Sequence, residues 1–144
     1  VKGRFTAGGT VDQPIGRHPK HRTRMAVTGS GKPAITHYRV LKKYRDFTLL
    51  NCQLETGRTH KIRVHMSHIH HTIIGDPLYG GRFTQPKACS EKLARQLQTF
   101  DRQALHAWKL SLKHPISDKL MNWEITLPDD FISLLEILDH EQLA

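Results

Sequence analysis

The residues able to do chemistry crowd into one stretch: Arg58, His60, Lys61, Arg63, His65, His68, His70 and His71. Histidines at this density raise the question of a metal. Zinc takes three or four convergent ligands, often from a Cys pair or an HExxH helix. Here Cys52 and Cys89 stand alone and no HExxH occurs. The apolar period of Ile62, Met66 and Ile69 predicts a helix over residues 59–68 with Thr59 as its N-cap. On such a helix His60 and His65 sit about 140° apart, too far round the axis to share an ion. No metal is expected, and a zinc protein is the weaker of two rival readings. No GxSxG, Walker-type loop or Rossmann fingerprint is present, so no cofactor is expected either.

The cations are placed against electrostatic preference. Arg58, Lys61 and Arg63 fall within the start of that helix, whose N-terminus favours anions; each is disfavoured by roughly a few tenths of a kcal/mol. A compensating anion is implied, either a phosphate or a carboxylate elsewhere in the fold. His60, Arg63 and Ser67 cluster on the side opposite the apolar stripe, which predicts a polar, basic outer face. A second group, Arg17, Lys20, Arg22 and Arg24, lies in residues 11–32, where Pro14, Pro19 and several glycines predict an extended arm or long loop.

The elements that must hold these groups follow from the remaining pattern. Residues 34–41 and 47–56 read as a hairpin of strands turning at 42–46; Leu50, Cys52 and Leu54 alternate with Asn51, Gln53 and Glu55. A short strand is predicted at 72–74, then a sharp loop at 75–81. Ser90 is placed to cap a helix carrying Leu93, Leu97 and Phe100. Strands at 104–113 and 119–127 flank a turn at 114–118. Pro128 and Asp129 open a final helix with Phe131, Leu134, Leu135 and Leu138 on its buried stripe. The class is α+β, a mixed, largely antiparallel sheet with packed helices.

Composition narrows the setting. The chain has 144 residues and a net charge of +9, with 14 Lys and Arg against 3 Asp and Glu in residues 1–63 and 8 against 10 thereafter. An excess concentrated in one half is the electrostatic footprint of a polyanion binder. No apolar run approaches the roughly 18 residues of a membrane span. Two isolated cysteines and no signal-like segment point to a reducing, cytoplasmic setting.

Several of these motifs resemble one family. Residues 54–66, Leu-Glu-Thr-Gly-Arg-Thr-His-Lys-Ile-Arg-Val-His-Met, followed by Gly75-Asp76-Pro77-Leu78-Tyr79-Gly80-Gly81, are similar to the third motif of RluA-type pseudouridine synthases. The resemblance extends through Gly9-Thr10-Val11-Asp12-Gln13-Pro14-Ile15, Arg17-His18-Pro19, residues 32–38, residues 103–107 and His114-Pro115. The upstream stretch is most like the D-type members, which act on a hairpin loop of large-subunit ribosomal RNA. One departure is Lys61, where the family commonly has Gln.

The resemblance implies a specific division of roles. The family isomerises uridine in a flipped-out nucleotide, using an aspartate of an Arg-Leu-Asp motif and neither metal nor cofactor. No Arg-Leu-Asp occurs in this sequence, and neither Asp12 nor Asp76 has its context. The chain, which begins at Val1 without Met, is accordingly read as the C-terminal portion of a catalytic domain, residues 1–144, monomeric and inactive alone. The upstream catalytic half and N-terminal RNA-binding module would lie outside it. By resemblance Arg63 is the catalytic cation, ion-paired to that aspartate. Arg58, His60 and Lys61 would contact RNA or support the site, and Arg17, Lys20, Arg22 and Arg24 would contact phosphates. The main rival is a non-catalytic RNA-binding protein on the same fold.

Overall fold

Alternating side chains over residues 35–54 produce the expected hairpin, β4 (Ile35–Lys43) and β5 (Thr48–Leu54), and β1 (Gly9–Asp12) joins it on the β4 side. These come from a computed structural model that describes residues 1–55 and 60–143. The register runs Thr36 to Leu54 and Tyr38 to Cys52, with a bulge between Val40 and Lys42 that turns Leu41 out to solvent. Val1 and Thr48 exchange both backbone hydrogen bonds, at 2.9 and 3.0 Å, so the first residues lie along β5.

The arm expected at 11–32 is more ordered than its Pro and Gly content suggested. Val11 and Asp12 complete β1, and β2 (Ile15–Arg17) pairs antiparallel with β3 (Met25–Val27). Gly31 permits this closure: a Cβ there would come within 2.4 Å of the Ile15 carbonyl carbon. Ile15 then buries with Ala34 and Val64, and Met25, Val27 and Tyr79 pack around them.

Three helices complete the described chain: α1 (Lys61–His68), α2 (Glu91–Thr99) and α3 (Asp129–Leu143). Ser90 caps α2 as predicted, its hydroxyl accepting the Leu93 N–H at 3.1 Å, a contribution of about 1 kcal/mol. Leu134 and Leu138 of α3 bury with Leu93, Leu97, Phe100, Ile74, Tyr44 and Phe47, and Phe131 is buried as well. A second cluster joins Phe5, Val11 and Ile73 to Met66 of α1.

Residues 72–74 form no strand, contrary to expectation. Their apolar side chains serve the two cores instead, Ile73 in one and Ile74 in the other. The last hairpin is shorter than predicted, β6 (Lys109–Lys113) with β7 (Leu120–Glu124), antiparallel from Lys109–Glu124 to Lys113–Leu120. It stands apart as a two-stranded ribbon with Leu110 56%, Leu120 60% and Ile125 61% exposed. Every described pairing is antiparallel, in an α+β arrangement.

Candidate active site

The N-cap of helix α1 falls one residue later than predicted. Its N-cap is His60, whose left-handed backbone (φ 72°) turns the chain into the helix. Thr59, the expected cap, and Arg58, an expected RNA contact, lie outside the described residues. Lys61 opens the helix and is half-buried.

The outer basic face predicted for α1 is not what forms. Arg63, Val64, His65 and Met66, four consecutive residues, are all buried. The helix packs on β4 and on β3, so the side opposite its apolar stripe is also covered. Arg63, only 7% exposed, is therefore held inside.

Its compensating anion is a carboxylate rather than a phosphate, that of Asp76, which is 4% exposed. Arg63 Nε donates to Asp76 Oδ2 at 2.8 Å and Nη2 donates to Oδ1 at 2.7 Å, a bidentate fork. Asp76 Oδ1 also accepts the Leu78 and Tyr79 amides, both at 3.0 Å. Burial pushes the Asp76 carboxyl upward, but the Arg63 bond and the two amides outweigh it and hold the group below the usual carboxylate range. The Asp76 bond raises Arg63 in turn, against its own desolvation. Gly75 makes the turn possible: its φ is +75°, and a Cβ there would meet the Arg102 carbonyl oxygen at 2.2 Å.

Tyr79 links this pair to the arm, a role that neither the loop pattern of residues 75–81 nor their resemblance to the family motif assigned to it. Its hydroxyl accepts the Met25 N–H at 2.9 Å and shares a hydrogen bond with His60 Nδ1 at 3.2 Å. The Arg63 guanidinium carbon lies 5.1 Å from the Tyr79 ring centroid, a cation–π contact. Desolvation and the Arg63 charge both lower the His60 pKa.

His65, with 0% exposure, bridges three elements. Its Nε2 donates to the Gln13 carbonyl at 2.9 Å and its Nδ1 accepts from the Thr36 hydroxyl at 2.6 Å. The neighbouring histidines are scattered: His71 bonds the Lys2 carbonyl, and His68 and His70 face solvent. Among the described residues no three His, Cys, Asp or Glu are grouped to hold a metal.

On the arm Arg17, Lys20, Arg22 and Arg24 are all exposed. The connection is shaped by His18, whose Nδ1 accepts the Lys20 and His21 amides at 3.1 and 3.0 Å. Through Met25 and Tyr79 the arm's backbone is tied to the Arg63 pair.

An arginine locked to a buried carboxylate, backed by a tyrosine and flanked by a basic hairpin, suits charge stabilisation next to a polyanion. A family model described as RNA pseudouridylate synthase matches residues 1–68, which take in β1 to β5, the arm and most of α1. That match takes in just under half of the chain's 144 residues. Among curated relatives the chain is 56% identical to ribosomal large subunit pseudouridine synthase D of Escherichia coli K12 over 136 residues, 94% of this chain and 42% of that protein. The synthase D of Haemophilus influenzae is 55% identical across 99% of this chain and 44% of its own length. A solved structure, human RNA pseudouridylate synthase domain containing 4, aligns with TM-score 0.66 at 26% identity, covering 92% of this chain and 56% of its own. The chain therefore spans less than half the length of these curated relatives.

Proposed function

We propose that this chain is the C-terminal portion of the catalytic domain of an enzyme that isomerises specific uridines of large-subunit ribosomal RNA to pseudouridine. The observation that carries this reading is the buried Arg63–Asp76 fork beside Tyr79. In the reaction the N1–C1′ bond breaks and C5–C1′ forms, with the reacting aspartate supplied by an Arg-Leu-Asp segment that these 144 residues lack. Arg63 would hold that aspartate ionised and oriented. Asp76 already occupies the Nε and Nη2 donors, which leaves the edge carrying Nη1 to meet a second carboxylate. His60 and Lys61, with Arg58, support this site or contact RNA, while Arg17, Lys20, Arg22 and Arg24 take phosphates. No described helix is long and apolar enough to cross a membrane. The proposed setting is the cytoplasm, with the enzyme acting as a monomer and without metal or cofactor.

The test is pseudouridine formation in unmodified large-subunit ribosomal RNA by a longer chain that includes the Arg-Leu-Asp segment. Arg63→Ala should lower its turnover by about a hundred- to a thousand-fold, the range for deleting one preorganised charge-stabilising donor, while RNA binding changes only a few-fold. The 144 residues alone should give no product. Tight binding without product in the longer wild-type chain would assign the protein as a non-catalytic RNA reader instead.

Phosphate contacts by the arm predict a second result. Lys20→Ala and Arg22→Ala should each flatten the plot of log affinity against log salt by about 0.7 for single-stranded RNA. An unchanged slope would remove these side chains from the interface.

A further inference from the structure

Between the arm and α1 lies a cleft of about 260 Å³ that does not include Arg63 among its lining residues. Its polar wall is His18 and Arg24 from the arm, Ser67 and His68 from α1, and Tyr79; its apolar floor includes Ala26 and Val64. Among the described residues no carboxylate lines it. Because His18 Nδ1 accepts two backbone amides, its ring proton must sit on Nε2, which makes the remaining nitrogen a donor. Arg24 is exposed at the cleft's edge and forms no ion pair among the described residues. The last turn of α1 weakly opposes an anion. The charge that would hold one comes chiefly from the arm.

We propose that this cleft seats one unpaired RNA nucleotide adjacent to the reacting one, phosphate against Arg24 and His18 and base over the Ala26–Val64 floor. The inference rests on the RNA reading above and adds a specificity subsite to it. Donors on one wall and an apolar floor match a nucleotide's two parts, since single-stranded RNA is read by stacking or apolar contact plus hydrogen bonds to its edges and backbone. Tyr79 is common to both places: its ring lines the cleft and also meets the Arg63 guanidinium. A nucleotide seated here would fix how far its neighbour must swing to reach Arg63.

The experiment measures binding of a short fluorescent single-stranded RNA, and of inorganic polyphosphate, to the chain and three variants. Ser67→Asp places a carboxylate in the cleft; Ala26→Leu fills the floor without altering charge; Ser117→Asp makes the same charge change on the separate β6–β7 ribbon. Thermal melts confirm that each variant remains folded. Ser67→Asp should weaken RNA binding about tenfold and Ser117→Asp less than about twofold. Ala26→Leu should weaken RNA binding about fivefold yet leave polyphosphate unaffected. Equal losses for the two serine variants, or full RNA affinity in Ala26→Leu, would overturn the subsite while the RNA reading stands. Failure of the unaltered chain to bind RNA at all would overturn both.

Discussion

Replacing Asp76 with alanine should destabilise the chain by about 3–5 kcal/mol, the range for removing one partner of a buried ion pair. The size follows from what remains behind: Arg63, 7% exposed, keeps its charge with no anion against Nε and Nη2. The Leu78 and Tyr79 amides lose their shared acceptor as well, so the 75–80 turn loosens together with the helix. Asp76→Asn should fall between, because an amide oxygen still accepts from the two N–H groups but carries no charge. Replacing the pair with Arg63→Met and Asp76→Leu together should recover much of the loss, since apolar substitutes leave nothing unpaired. Urea unfolding of the four proteins measures this; a single-variant loss below about 1 kcal/mol would mean the fork is solvated. The pH dependence has a definite sign. Asp76 is held below its ordinary value of 3.8, so its contribution is complete above that pH and disappears as pH falls through the lower folded value.

His65→Ala should cost about 3–5 kcal/mol, from a cavity at a fully buried site and from two partners left without hydrogen bonds. Those partners are the Thr36 hydroxyl on β4 and the Gln13 carbonyl beyond β1, so the variant should also unfix α1 from the sheet. Here pH acts in a higher window. Desolvation depresses His65 below the ordinary 6.5, outweighing the raising effect of its Gln13 bond. The unfolded chain therefore binds more protons below about 6.5, and stability declines as pH falls toward the folded value. His60 acts in the same direction. The difference between the unaltered chain and His65→Asn isolates the His65 share. Urea midpoints whose fall from neutral to mildly acid pH is the same in both proteins would remove His65 from this account.

What the sequence disclosed was whatever depends on neighbours along the chain. The alternation at 50–55 placed β5, Ser90 capped α2, and the stripe from Phe131 to Leu138 buried α3, because each is a local periodicity or a local bond. Arg63 shows where that ceases. Its side of α1 reads as polar on a helical wheel, yet β3 and the 75–80 turn cover it, and its anion comes from 13 residues further on. A wheel has no knowledge of a second packing surface. The unfavourable charges at the helix start did signal that an anion was required, but gave no means to choose Asp76 over a phosphate. The left-handed His60 backbone was equally hidden, since a non-glycine residue at positive φ is imposed by surroundings such as its Tyr79 contact. Family motifs identified Arg63 as important without revealing that it is already partnered.

The ribbon of β6 and β7 gives the chain a colloidal character of its own. It offers unpaired strand edges and apolar side chains to solvent, a template on which copies can add to one another. What keeps copies apart is the net charge of +9. That repulsion reaches about 10 Å at 0.1 M salt and about 3 Å at 1 M. Solubility should therefore decline as salt is added, and a polyanion should act as a far more efficient precipitant than simple salt. RNA near charge balance would cancel the repulsion while leaving the ribbons uncovered, making turbidity greatest at an intermediate ratio of RNA to protein and lower on either side.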